Sequence, residues 1–330
     1  MLADRFGRRP VMRGGLALYI VGEIASIMAP SLTVMFIARF VWGLGSAGQR
    51  VAAMAMVRVG YEGEQMAKQM SLIMAVFIIV PTFAPALAAG VLVFGPWQAV
   101  FWLCAIVALV VAGAVSMLPE TLVPEERRSL HVGPVGRSIR TVLVTPGSGW
   151  YLVALTSLFA AFLSYLASSE IILDQVFGLE EWFPLFFGAI ALVMGGSMYV
   201  NGRYVERVGL ATIIRFGFAA NLAAAVVLLA VSVATSGRPS FWVFAPMLAA
   251  VLFFLQMVIP NLNAEAMRPL GAVAGTAAAV FGMVPGVLGA VIGGLIDRQV
   301  DGSITPLSIA FVIASLAAGF AWRRASAANA

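Results

Sequence analysis

The sequence predicts an all-α integral membrane protein of about ten transmembrane helices, and three observations carry that prediction. Of 330 residues, 62% are hydrophobic and 11% charged, which is more apolar surface than one water-soluble core of this length can bury. The apolar residues fall in runs of roughly 18 to 25 without strand-like alternation, the length a helix needs to cross a bilayer. Lipid offers the backbone no hydrogen-bond partners, so such runs must satisfy themselves internally as helices. The basic residues, finally, gather in alternate connecting segments, as membrane orientation requires.

The expected spans are 12–29, 33–57, 69–94, 97–118, 148–168, 182–201, 209–233, 240–259, 271–296 and 303–323. Sixteen of the twenty Lys and Arg residues, from Arg5, Arg8 and Arg9 through Arg137 and Arg140 to Arg323 and Arg324, then fall on one side of the membrane. Only Arg238 and Arg298 fall on the other, together with Asp174, Glu180, Glu181, Asp297 and Asp301. This asymmetry places both termini in the cytoplasm, and the protein is expected in the inner membrane of the cell. Cations spread through short loops, rather than drawn into one stripe, point away from nucleic acid despite a net charge of +5.

Cys104 is the single cysteine and His131 the single histidine, which leaves no disulfide framework, no thiolate or histidine metal site and no catalytic triad. No cofactor is expected. No cleavable signal precedes the first span, because residues 1–10 are polar and basic. The hydrophilic stretch 119–147, read as a central cytoplasmic loop, separates a four-helix group over 1–118 from a six-helix group over 148–330. Transporters built of two six-helix halves have this organisation, with the first half here two helices short.

The motifs run in order along the chain. Leu2-Ala3-Asp4-Arg5-Phe6-Gly7-Arg8-Arg9-Pro10 resembles the loop between helices 2 and 3 of the major facilitator superfamily. There Asp4, Arg5, Arg8 and Arg9 can pair across helix ends in one conformation and release in another, while Gly7 permits the tight turn. A basic loop that merely sets topology would look similar. In 36–47, Arg39 precedes Gly43 and Gly45, similar to the superfamily's helix 4, with Trp42 replacing the usual glutamine. Arg39, Gly43, Ser46 and Arg50 share one helix face. A charge at this depth costs about 2.5–3.5 kcal/mol, so Arg39 should face protein or a wet cavity. Glu23 lies at a similar depth on the preceding span and is expected to pair with Arg39, as either a moving or a static ion pair.

Pro81, Pro85 and Gly90, with Ala88 and Ala89 where paired glycines are usual, resemble the antiporter pattern of helix 5; an ordinary Pro-kinked packing helix is the alternative. Trp97–Trp102 and Leu118-Pro119-Glu120-Thr121-Leu122 resemble the two ends of helix 6 in the bicyclomycin-resistance (Bcr/CflA) group of drug:proton antiporters. Residues 162–179 resemble that group's helix 7 and the loop after it, with Glu170 in place of a proline. Asn201–Gly209 is a degenerate copy of the opening motif, at the corresponding place in the second half. Residues 260–264, then 274–278 with Gly282, Gly286, Gly289 and Gly293, resemble the loop after helix 10 and helix 11. Small residues so spaced favour tight packing over substrate binding.

The ordered series, covering residues 1 to about 300, is what makes the resemblance specific. It implies a major facilitator fold corresponding to helices 3 to 12 of twelve. It also implies alternating access around a central cavity, and multidrug efflux in exchange for protons by a monomer. The group's acidic residue on helix 1 would be absent, which leaves proton coupling to Glu23. Aromatics and amides such as Trp42, Tyr165, Phe253 and Gln256, with Glu170, are the expected contacts of a lipophilic small-molecule substrate. Uptake of a nutrient, or a non-transporting fragment, would use the same fold. An enzyme is not expected, since no Ser, His or paired-carboxylate constellation stands within the spans.

Overall fold

The computed structural model describes residues 6–60, 65, 84, 87–120 and 132–328, which form two compact units divided at His131/Val132. Asp4, Arg5, Pro81, Pro85 and most of the expected span 69–94 lie outside the described residues, as does the side chain of Arg50. Every element among the described residues is helical, and eight helices are long and apolar enough to cross a membrane, with a shorter apolar helix at Leu32–Ala47.

In the first unit, α1 (Arg8–Ile27) packs against both α2 (Leu32–Gly60) and α3 (Gln98–Met117). Where α1 crosses α2, glycines set the distance. A Cβ on Gly22 would lie 2.6 Å from the backbone nitrogen of Trp42, and one on Gly45 would lie 2.5 Å from that of Tyr19. Such backbone-to-backbone approach supplies dispersion contact where lipid removes the hydrophobic drive for helices to associate.

The second unit contains α4 (Val132–Val144), α5 (Ser148–Gln175), α6 (Phe183–Val208), α7 (Leu210–Ala234), α8 (Phe241–Met267), α9 (Ala274–Asp297) and α10 (Thr305–Ala328). α5 is the hub, packing on α8, α9 and α10, while α7 packs on α8 and α10. One apolar cluster fills the end that holds Tyr151, Ile214, Leu262, Phe281 and Trp322. A second, around Tyr165, Ile172, Phe244, Val251 and Phe311, fills the other end. Buried polar groups bind the helices across these clusters. Asn221 donates to Val251 O at 2.7 Å and accepts from Ser315, Ser197 donates to Phe253 O at 2.6 Å, and Ser232 bonds Thr305 at 2.8 Å. Each such bond contributes about 0.6–2 kcal/mol in lipid.

Three sequence readings change. The expected loop 119–147 contains α4, whose Val142 is fully buried in the second unit. Its polar face hid it from a search for apolar runs. α5 continues seven residues past its expected end at 168, because Ile172 and Leu173 bury while Asp174 stays exposed, so the acidic residues ride on the final turns. Of the helix 11 glycines, Gly289 and Gly293 do pack on α5, their Cβ positions falling 3.1 Å from Ala160 N and 2.9 Å from Ser164 N. Gly282 and Gly286 meet nothing within 4 Å.

The internal echo is visible in the backbone. Gly7 precedes α1 with φ 97°, ψ 151°, and Gly209 precedes α7 with φ 82°, ψ 152°. Both adopt a conformation that side chains disfavour, which is why glycine ends both Asp4-Arg5-Phe6-Gly7 and Glu206-Arg207-Val208-Gly209.

Candidate functional site

The first unit brings Glu23, Arg39 and Trp42 together with three residues that sequence reasoning did not select, Tyr19, Phe101 and Cys104. The Gly22–Trp42 contact puts the next residue of α1, Glu23, into the crossing, where it is 1% exposed. Tyr19 packs on Trp42 with ring centroids 5.3 Å apart, and both flank the carboxyl. The Arg39 guanidinium lies 4.4 Å from the ring centroid of Phe101 and 5.3 Å from that of Trp42. Phe101 is braced in turn by an edge contact with Trp97.

Glu23 and Arg39 make no salt bridge within 4 Å in this conformation, although the guanidinium stays close enough to act on the carboxyl electrostatically. Aromatic faces hold the half-buried cation, an attraction of about 0.5–2 kcal/mol. One carboxyl oxygen of Glu23 and the Trp42 indole nitrogen are both buried without a hydrogen-bond partner. The signal for Phe101 was present in the sequence as an aromatic one turn after Trp97, but nothing there indicated that it would reach Arg39.

Ser46 shares α2 with Arg39, and its hydroxyl is taken up by Gly43 O at 3.0 Å. Gly90 is exposed on a helical stretch and meets nothing within 4 Å. In the second unit Tyr165 is 2% exposed, stacks on Phe187 at 6.4 Å and has a hydroxyl without partner. Gln256 is half-buried on α8, where Pro260 cannot donate the usual helical bond to its carbonyl. Phe253 packs edge-on against Phe254. Glu170 stands exposed on another face of α5 and is not gathered with Tyr165.

The opening motif forms a reciprocal clamp between helix ends. The backbone N–H groups of Arg8 and Arg9 donate to the two oxygens of Glu120 at 3.0 and 3.2 Å. In return the side chains of Arg9 and Arg13 donate to Ser116 O near the end of α3, the latter at 3.2 Å. Negative charge thus meets the α1 N-terminus, and positive charge the α3 C-terminus. A Cβ on Gly7 would stand 2.5 Å from a Glu120 oxygen, so the motif's glycine makes room for the clamp. We expect Glu120→Ala to lower stability by about 1–2 kcal/mol, read from thermal unfolding of the purified protein.

Comparison with known proteins adds the family. The pattern described as Major Facilitator Superfamily matches residues 1–294. The chain belongs to the major facilitator superfamily. It is a multi-pass membrane transporter of the secondary type rather than an enzyme. It is 28% identical over 289 residues to a bicyclomycin resistance protein homolog of Haemophilus influenzae, covering 85% of this chain and 70% of that one. It is also 29% identical over 201 residues to the multidrug resistance protein MdtL of Shigella dysenteriae, covering 61% of this chain and half of that one. Among solved structures, the xylose transporter XylE of E. coli superposes with a TM-score of 0.69 at 13% identity, covering 97% of this chain and 81% of that one. The human organic anion transporter MFSD10 gives 0.62 at 20% identity, covering 96% and 78%. At these identities the structures establish the fold.

Proposed function

We propose that this chain is a proton-coupled efflux carrier for small lipophilic compounds, of the bicyclomycin-resistance type, working by alternating access. It acts as a monomer in the inner membrane with both termini cytoplasmic. The bundle 1–118 and the unit that begins with α4 and runs through 148–330 move as bodies.

The observation that supports this reading most is the Glu23 pocket. A carboxyl buried in a membrane helix with an oxygen unpartnered is expensive to keep ionised alone. We assign the arrangement in this structure, with Arg39 on Phe101 and Trp42, to the protonated carboxyl. With Glu23 ionised, the lone buried charge draws Arg39 towards it and uncovers both rings. Proton release thus exposes an aromatic surface suited to a lipophilic guest, and proton binding covers it again, which is the competition an antiporter needs. Arg50, Ser46, Tyr165, Gln256 and Glu170 are assigned to the substrate and proton path. Asp4, Arg5, Gly7, Arg8 and Arg9, with Pro81, Pro85 and Gly90, are assigned to the conformational elements. The names of the Haemophilus and Shigella relatives support efflux of drugs.

The test is drug susceptibility of an efflux-deficient bacterium expressing this protein. Resistance that collapses when a protonophore removes the gradient is expected. Accumulation of substrate would point to uptake, and unchanged susceptibility with the protein in the membrane would overturn transport of drugs altogether.

A further inference from the structure

The helix absent from the sequence reading, α4, carries an arrangement that the transport cycle does not use. It docks at one end of the second unit, against α5, α9 and the turn Arg268–Val273 that precedes α9. Side chains fall around it in a definite order. Val142 is fully buried in the protein. Next round the helix, Ile139 and Leu143 stand one turn apart and are 39% and 55% exposed. Beyond them come Arg140 and Arg137, both exposed, with the exposed Val144 of the last turn between them, and neither arginine makes an ion pair among the described residues. Thr141 follows, its hydroxyl bonded back to Arg137 O at 3.0 Å.

The level of α4 in the bilayer is marked independently. α5 begins four residues after α4 ends, and its third residue, Trp150, sits edge-on against Phe320 at 6.0 Å. The Arg324 guanidinium lies 5.4 Å from the same Phe320 ring. An exposed tryptophan beside an arginine at a helix end is the arrangement found at the membrane–water boundary. A helix tied to that level, with one side in protein, an apolar stripe beside it and a face that carries two arginines, with Val144 between them, and then a hydroxyl, fits acyl chains, anionic headgroups and water in turn.

We propose that α4 lies in the membrane surface and that Arg137 and Arg140 bind the headgroup of an anionic phospholipid, with Ile139 and Leu143 against its chains. On the orientation proposed above, this is the cytoplasmic leaflet. Charge complementarity selects an anionic lipid over a zwitterionic one, and the exposed apolar stripe selects a lipid over a soluble phosphate.

The test uses the full chain with Cys104→Ser, in nanodiscs of phosphatidylcholine with and without phosphatidylglycerol. Because anionic lipid is then offered on both faces, the result is independent of orientation and of transport. A spin label at Leu143→Cys should be relaxed by oxygen and one at Thr141→Cys by a water-soluble nickel chelate. Arg137→Gln with Arg140→Gln should weaken phosphatidylglycerol binding, followed by native mass spectrometry, by about thirtyfold. Nickel access to both labels would place α4 in water. Shielding of the label at 143 from both reagents would place it under protein. Equal phosphatidylglycerol affinity in the double variant would remove the arginines from any headgroup site. Each of these three results overturns the proposal.

Discussion

Glu23→Gln should abolish the pH dependence of substrate binding. In an antiporter, proton and substrate compete, so wild-type affinity rises as pH rises and Glu23 loses its proton. A coupling of about 1–3 kcal/mol makes that rise roughly 5- to 150-fold. Glutamine is neutral at every pH and holds Arg39 on Phe101 and Trp42, so the variant should bind weakly throughout, with a flat profile. Binding of a fluorescent lipophilic compound to the purified protein across pH measures this directly. The groups beside the carboxyl are Arg39, Tyr19 and Cys104, and among the described residues of the first unit no other acid lies within a span. A variant that retains the wild-type slope would show that the coupling proton is carried elsewhere and that the Glu23 pocket is structural.

The second large effect is expected from Gly22→Val. The new side chain would meet backbone and Cβ atoms of Trp42 between 2.6 and 2.8 Å away, and a backbone cannot turn aside as a flexible side chain can. α1 and α2 must separate, at a cost of about 1–3 kcal/mol or more, and Glu23 then parts from Trp42 and Arg39. Thermal unfolding in detergent should show an early transition, and substrate binding should be lost with it. Gly14→Ala is the matched control, since nothing lies within 4 Å of its Cβ position; it should leave both measurements near wild type. A harmless Gly22→Val would mean that the crossing is looser than the structure shows.

These two sites divide between what can be read in sequence and what cannot. The number and approximate extent of the spans followed from composition and run length, since a bilayer imposes one length and one way of satisfying the backbone. Family followed from an ordered series of loose motifs, and Glu23 and Arg39 were conspicuous because a charge in a span is expensive. The backbone of Gly7 and Gly209 likewise matched what glycine in a repeated motif suggested. Partnership was not legible. A helix has a face towards each neighbour, and neighbours far away in sequence decide which face meets which. Phe101, 62 positions after Arg39 in the chain, could not be chosen over the other aromatics. Nor could Glu120 be read as the acid that binds Arg8 and Arg9. The amphipathic α4 escaped because its stabilising contacts come from Val142 entering a core built by other helices, and no local run of apolar residues announces it. The sequence by itself determined a membrane-spanning helical carrier, because lipid solvation acts on each segment alone. Only the tertiary structure decided that Arg39 rests on aromatic rings beside a buried carboxyl, because that choice depends on how closely Gly22 and Gly45 let two helices approach.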